Sequence, residues 1–158
     1  MAEDLEEQIR EYIDAHRVCT IAVADGNTPG AHTVYYVNNG LTVYFNSDMK
    51  SQKISVLRSN PKISLVIDED YEDWRAIKGV QMFGRARILD SRDTAGVRDA
   101  FNKKLPHLKE SGGLPDSYVF VEVIPEKVYY MDFSKHPGHK SVYYPEKEKG
   151  GLMSKISW

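Results

Sequence analysis

The stretch of sequence that decides the fold is Leu41-Thr-Val-Tyr-Phe-Asn-Ser-Asp-Met-Lys-Ser-Gln-Lys-Ile-Ser-Val-Leu-Arg-Ser-Asn-Pro61. It begins as a strand of alternating apolar and β-branched residues and passes through a short polar segment, Asn46 to Lys53. It ends as a short amphipathic helix that Pro61 terminates. Hydroxyls, amides and two lysines therefore occur together where a predicted strand leads into the N-terminus of a predicted helix.

This junction has the chemistry of an anion site. The first backbone N–H groups of a helix have no partner within the helix, and the helix dipole is positive at that end, so a phosphate is favoured there. A phosphorylated cofactor is the first hypothesis. The alternative is a polar turn with a solvated helix start, and both interpretations are compatible with this stretch taken alone.

Short predicted strands with turn signals lie on both sides of the stretch. Asn38-Asn-Gly40 predicts a tight hairpin, because Asn-Gly readily adopts the positive φ angles of such turns. Gly84 lies inside a long predicted strand and indicates a bulge or a close approach of two backbones. The other predicted strands cover about residues 18–24, 31–37, 62–67, 79–90, 118–123 and 127–133, and the other predicted helices cover about residues 2–16 and, from Ser91 or Asp93, up to about Lys104.

These elements predict a mainly β fold with a few helices. Six or so short strands joined by hairpin turns favour an antiparallel sheet that closes into a small barrel. Regular alternation of strands and helices is absent, which argues against a doubly wound parallel sheet. A chain of 158 residues is most simply a single domain.

Composition and missing motifs exclude several classes of function. A net charge of −2 provides no general attraction for nucleic acid or an acidic membrane. The acidic N-terminus and the lack of a long apolar run predict a cytoplasmic protein without a membrane span. Cys19, the only cysteine, lies in an apolar run and is expected to be a buried core residue. Neither standard glycine-rich phosphate loop is present, and two common hydrolase signatures are also missing.

Three motifs follow one another in a characteristic order and spacing. The central motif is Val43-Tyr-Phe-Asn-Ser-Asp-Met-Lys-Ser-Gln-Lys-Ile-Ser-Val-Leu-Arg-Ser-Asn-Pro-Lys-Ile-Ser-Leu-Val66, and the others are Asp25-Gly-Asn-Thr-Pro-Gly-Ala-His-Thr-Val-Tyr-Tyr-Val37 and Gly79-Val-Gln-Met-Phe-Gly-Arg-Ala-Arg87. Together they resemble the pyridoxamine 5′-phosphate oxidase-like, FMN-binding split-barrel superfamily. The resemblance implies an antiparallel six-stranded split β-barrel domain over residues 1–133. The tail, residues 134–158, carries large apolar side chains and is expected to dock partly, on its own barrel or on a partner subunit: Tyr143, Tyr144, Leu152, Met153, Ile156 and Trp158.

The resemblance also implies a cofactor and the residues that bind it. Ser51, Gln52 and Lys53 would hold the phosphate of FMN, and Asn46 and Ser47 would reach its ribityl chain or phosphate. A run on the second strand would lie along the flavin ring and contribute mainly backbone hydrogen bonds, and the later long strand would add one candidate side chain. These residues are His32, Thr33, Val34, Tyr35 and Gln81. The flavin would sit at a homodimer interface.

The chain departs from true pyridoxamine-phosphate oxidases in its C-terminal region. Where those enzymes carry Trp followed by Arg-x-His-Asx-Arg, this chain has Tyr129-Tyr-Met-Asp-Phe-Ser-Lys-His-Pro-Gly-His-Lys-Ser-Val-Tyr-Tyr144. The prediction is therefore a generic FMN-dependent oxidoreductase that moves two electrons between a reduced nicotinamide or small organic substrate and an acceptor. The alternative is a flavin- or haem-binding carrier or sensor without turnover. His136 and His139 are interpreted as surface loop histidines rather than metal ligands, Trp74 and Trp158 could stack on a flavin or simply pack, and no catalytic acid or base stands out.

Overall fold

Strands hold more of the described residues than helices do. The computed structural model describes residues 2–145, with side chains from residue 4 onward, so Leu152, Met153, Ile156 and Trp158 lie outside the described residues. The helices are α1 (Ala2–Ala15), α2 (Gln52–Ser59), α3 (Ala95–Lys104) and α4 (Pro106–Glu110), with single 3₁₀ turns at Trp74–Ala76 and Ser91–Asp93. The strands are β1 (Val18–Asp25), β2 (Thr28–Asn39), β3 (Thr42–Asp48), β4 (Lys62–Ile67), β5 (Lys78–Ile88), β6 (Tyr118–Asp132) and β7 (Lys140–Tyr143).

Six of these strands close into a barrel, which confirms the predicted fold class. The strand order is β3-β2-β1-β4-β5-β6, and β3 pairs again with β6 to complete the closure. Every pairing is antiparallel. The seventh strand, β7, pairs with the second half of β6 outside the closed ring.

Alternation along the strands builds the core of the barrel. Because successive side chains point to opposite faces of a strand, each strand sends every second residue inward, as with Cys19, Ile21 and Val23 in β1. α1 adds Ile9 and Ile13 to the same core. Cys19 is only 2% exposed, which confirms it as a core residue, and burial raises the pKa of its thiol to about 12.

β6 is one continuous strand of 15 residues, whereas Pro125 was expected to divide it into two. Pro125 pairs with Gly84 at the point where the register of the β5–β6 ladder shifts, so the missing N–H of proline falls at a bulge. A side chain at Gly84 would place its Cβ 2.1 Å from the carbonyl oxygen of Ile124. The predicted bulge and close backbone approach at Gly84 are both confirmed.

A second apolar cluster lies on the outside of the barrel. Val97, Phe101 and Leu105 pack on outward-facing residues of the strands that include Tyr44 and Phe120. The predicted single helix is in fact a 3₁₀ turn followed by α3. α4 begins at Pro106, where the missing N–H is tolerated because the first N–H groups of a helix have no acceptor within the helix. α3 and α4 are therefore held against the outer surface of β2 and β3.

Lys104 ends α3 with a buried charge. Its Nζ lies 4.1 Å from the centre of the Tyr36 ring and has no hydrogen-bond partner within the described residues. Burial lowers its pKa from 10.5 to about 8. Because the folded state gives up this proton near pH 8 while the unfolded chain keeps it up to about pH 10.5, the free energy of unfolding should rise between these two pH values.

We expect Lys104→Met to stabilise the protein by about 1 to 2 kcal/mol at pH 7, where wild type must keep a charged amine buried. This figure is smaller than the full pKa shift would give, since solvent screens part of the side chain. The advantage should disappear near pH 10.5. Urea unfolding at pH 7 and pH 10 measures it, with Lys103→Met, at an exposed position of the same helix, as the control. An equal gain in both variants, or a gain that does not change with pH, would contradict the assignment.

Candidate cofactor site

A cleft opens where β2 and β3 separate. The two strands pair only from Tyr36–Phe45 to Asn39–Thr42. Residues 43–45 of β3 pair with both β2 and β6, but residues 46–48 pair with β6 alone, while β2 continues along β1. One edge of β2 around Thr33 to Tyr35 therefore faces the gap, and its backbone N–H and C=O groups on that side pair with no other strand among the described residues.

This gap is a cleft of about 380 Å³, which we call the candidate cleft. Six of the predicted site residues line it: Thr33, Val34, Tyr35, Asn46, Ser47 and Lys53. Its remaining walls come from α4, the loop that follows and the first residue of β6: Leu108, Gly113, Leu114, Pro115 and Tyr118. The structure thus brings the polar strand-to-helix junction and the second strand together, as the resemblance implies.

The N-terminus of α2 presents donors to the candidate cleft. Ser51 is the N-cap residue, but its hydroxyl does not cap the helix and instead lies 2.9 Å from the hydroxyl of Ser47. The first helical hydrogen bond runs from the N–H of Ser55 to the carbonyl of Ser51, so the N–H groups of Gln52 and Lys53 precede the helical ladder. Of residues 51–53, only Lys53 lines the cleft: Gln52 is exposed, and Ser51 reaches the lining only through its contact with Ser47.

The charge at this end also suits a phosphate. Lys53 forms no ion pair with any side chain that the structure describes. The carboxylate of the same turn, Asp48, accepts hydrogen bonds from the Lys50 N–H at 2.8 Å and from the Ser117 hydroxyl at 3.4 Å. Hydroxyls, helix N–H groups and one ammonium remain, and this donor set matches a phosphate bound at a helix start.

The second strand presents its residues on two faces. Thr33 and Tyr35 are exposed, whereas Val34 is buried on the barrel side and His32 is partly buried. Tyr36 is fully buried, so only Tyr35 of the tyrosine pair can meet a ligand in the cleft, as the alternation predicts. His32 is not among the residues that line the cleft.

Gln81 lies away from the candidate cleft but in line with it. Directly paired residues form a row across the outer face of the sheet, from Thr33 through Thr20 and Val66 to Gln81. Three strand spacings separate the ends of this row, about 14 Å. Gln81 lines a shallow depression of about 190 Å³, whose lining includes the small residues Thr20, Ala22 and Ser64.

Sequence reasoning missed the wall formed by α4 and its loop. The ring of His107 lies 5.7 Å from that of Tyr35, and Leu108 and Leu114 also face this region. The available signal was Gly112-Gly113, which adopts φ angles of +101° and +79° and allows the chain to turn back over the cleft. The N–H of Met49 donates to the carbonyl of Ser117 at 2.9 Å, which ties this loop to the junction before α2.

The two loop histidines approach each other. His139 Nδ1 lies 3.1 Å from His136 Nε2, but no cluster of three or more potential metal-ligating residues occurs in the described part of the chain. Trp74 is half-exposed on the 3₁₀ turn and does not line the cleft, and Trp158 lies outside the described residues. No helix within residues 2–145 is long and apolar enough to span a membrane.

Comparison with known proteins agrees with this architecture. The chain is 23% identical over 131 residues to general stress protein 26 of Bacillus subtilis, covering 82% of this chain and 90% of that protein. A FAD-binding protein of Mesorhizobium loti superposes with a TM-score of 0.64 at 28% identity, covering 79% of this chain and 89% of that one. A heme binding protein of Mycobacterium smegmatis superposes with a TM-score of 0.75 at 18% identity, covering 89% of this chain and 58% of that one.

The family assignment rests on a match that spans most of the barrel. Residues 5–132 match the pyridoxamine 5′-phosphate oxidase family, a range that begins within α1 and ends at the last residue of β6. This chain therefore belongs to the pyridoxamine 5′-phosphate oxidase family, as a generic member of the wider split-barrel superfamily.

Proposed function

We propose that the protein is an FMN-dependent oxidoreductase that works as a homodimer with one flavin per chain. The observation that carries the proposal is the candidate cleft, where donor groups at the start of α2 meet the free edge of β2. The similarity to a FAD-binding protein of the same fold supports a flavin. The shape of the donor set supports a terminal phosphate, as in FMN, at the helix end.

Different residues of this chain would bind the phosphate, the ribityl chain and the ring of FMN. Ser51, Lys53 and the first N–H groups of α2 would hold the phosphate, while Asn46 and Ser47 would contact the ribityl chain. The edge of β2 at Thr33 to Tyr35 would bind the polar rim of the ring, which would extend along the row toward Gln81. When bound, the flavin supplies two-electron redox chemistry, taking a hydride from a reduced donor and returning the electron pair to an acceptor.

A second copy of the chain would cover the open side of this site. The outer face of the sheet exposes large apolar side chains next to the row, namely Val18 (42% exposed), Tyr35 (44%) and Phe83 (43%). The small residues between them line the shallow depression described above, which suits a ring lying on the sheet with another subunit against it. Large apolar side chains exposed on one face of a sheet are typical of interaction sites.

Reconstitution tests the proposal. We expect titration with FMN, followed by quenching of flavin fluorescence, to end at one FMN per chain, with FAD binding more weakly, and sedimentation equilibrium to give twice the chain mass of 18.0 kDa. Anaerobic NADH or NADPH should then bleach the bound flavin. A chain that takes up neither FMN nor FAD would refute the flavin proposal, and a monomer in the FMN-loaded state would refute the dimer.

A flavin- or haem-binding module without turnover is the second candidate. It is favoured by the absence of carboxylates and histidines among the described residues that line the cleft, so no general acid or base faces it. The fold shared with a heme binding protein adds haem as a ligand to consider. A Soret band after haem addition, or FMN that binds but is not bleached by reduced nicotinamides or other donors, would favour this candidate.

A further inference from the structure

A cluster of lysines and aromatic rings lies at the far end of the row, beyond Gln81. Lys127 Nζ lies 4.7 Å from the centre of the Phe83 ring and 5.2 Å from that of Tyr129, and Lys140 Nζ lies 5.5 Å from the Tyr129 ring. The Phe83 and Tyr129 rings meet edge to face, with 6.1 Å between their centres. We call these four residues the lysine–aromatic cluster.

The cluster carries positive charge without a paired carboxylate. Within the described residues, neither Lys127 nor Lys140 forms an ion pair, and the neighbouring Glu126 is paired with Arg85 at 3.6 Å. Contacts with ring faces hold the two ammonium groups in place above the sheet. An anion that binds there meets charges that are already positioned, which lowers the entropy lost on binding.

Its position connects the cluster to the proposed flavin site. Tyr129 pairs directly with Gln81, which continues the row that begins at Thr33 in the candidate cleft. Lys140 Nζ donates to the side-chain oxygen of Gln81 at 3.1 Å. This hydrogen bond joins the cluster to Gln81, the residue toward which the proposed flavin ring extends. Phe83 lines the same shallow depression as Gln81.

One of the lysines comes from outside the family match. Lys140 begins β7, whereas the match to the family ends at residue 132. β7 places it beside β6 through the pairing of Lys140 with Met131. The charge beside Gln81 is therefore supplied by a segment that lies outside the range of the family match.

We propose that the lysine–aromatic cluster binds the substrate, and that the substrate is a planar organic anion. Its carboxylate or phosphate contacts Lys127 and Lys140, while its ring lies against Phe83 and Tyr129, beside Gln81. The assignment of this anion as the substrate rests on the proposed function, because the cluster lies beside the reacting group only if a flavin lies along the row. Binding of the anion itself does not depend on the flavin assignment.

The test replaces both ammonium groups while keeping their aliphatic stems. Lys127→Met/Lys140→Met is compared with Lys62→Met/Lys103→Met, which changes the net charge equally at two exposed positions. The probes are NADPH and nicotinate, which are anions, and nicotinamide, which has nearly the shape of nicotinate without its charge. Calorimetry gives their dissociation constants on the FMN-loaded and FMN-free chain, and the dissociation constant of FMN is measured alongside.

We expect the cluster variant to weaken NADPH and nicotinate binding at least tenfold, with nicotinamide and FMN changed less than twofold and the control variant unchanged. Equal losses in both double variants, equal losses for nicotinamide, or no binding of either anion to the wild type would overturn the proposal. If FMN fails to bind at all, the proposed function fails, and nicotinate titration of the FMN-free chain decides this proposal separately. A charge-dependent loss there still supports it, and no difference between the variants overturns it.

Discussion

Replacing Ser51 and Lys53 together with alanine should weaken FMN binding by about 100-fold or more. Each change removes a proposed donor to the phosphate, and a hydrogen bond to a charged group contributes about 1.5 to 3 kcal/mol. Two such losses correspond to at least two decades in the dissociation constant. Quenching of FMN fluorescence during titration measures the effect directly.

Lys103→Ala is the matched control, because it removes the same charge from an exposed position on α3 and should change FMN affinity less than twofold. The double variant should remain folded, since the Ser51 hydroxyl does not cap α2 in the native structure. Thermal unfolding without FMN checks this point. Equal affinities of the double variant and the control would refute the phosphate assignment.

Gly84→Ala should be the most destabilising of the glycine-to-alanine substitutions in the barrel, lowering the free energy of unfolding by about 3 kcal/mol. The new Cβ would lie 2.1 Å from the carbonyl oxygen of Ile124 and 3.0 Å from its carbonyl carbon, both backbone atoms of the facing strand. Backbone cannot move aside as a flexible side chain can, so β5 and β6 must separate at the bulge. Urea unfolding measures the loss.

The control for this change is Gly30→Ala, on β2. There the nearest atom to the new Cβ is the Nε2 of His32 at 3.2 Å, at the far end of a side chain that can rotate away. We expect less than about 1 kcal/mol at this position. A cost at Gly84 no larger than that at Gly30 would contradict the close approach that defines the bulge.

Much of the fold could be predicted from the sequence because its signals are local. The Asn-Gly turn before β3 places Gly40 at a φ of +59°, as the hairpin requires. Pro125 misled the prediction, since proline interrupts a strand in general but is tolerated at a bulge, and the bulge depends on a partner strand about 40 residues earlier in the sequence. β7 was missed because four residues without turn signals become a strand only when the edge of β6 is present.

In the candidate site, too, the local features could be predicted from the sequence and the features that depend on tertiary packing could not. Asn46, Ser47 and Lys53 lie within one strand-to-helix junction, so their proximity follows from short-range structure, and the cleft contains all three. The wall that includes Leu108 and Leu114 depends on α3 packing against the outside of the barrel, which no local pattern reveals. Gln81 was predicted on the correct strand, but its distance from the cleft follows from the strand order β1-β4-β5.

The closure of β3 on β6 also has a consequence for folding. This contact joins Val43 to Val123, and pairings between residues so distant in sequence form slowly because a long loop must be closed first. The candidate cleft exists only after this closure, because the part of β3 that lines it, Asn46 and Ser47, pairs with β6 and no longer with β2. A ligand of the cleft therefore binds the native state and not the unfolded chain. Once the ligand concentration exceeds the dissociation constant, the free energy of unfolding increases with the logarithm of the ratio of these two quantities. The supply of cofactor would in this way set the lifetime of the folded protein as well as its activity.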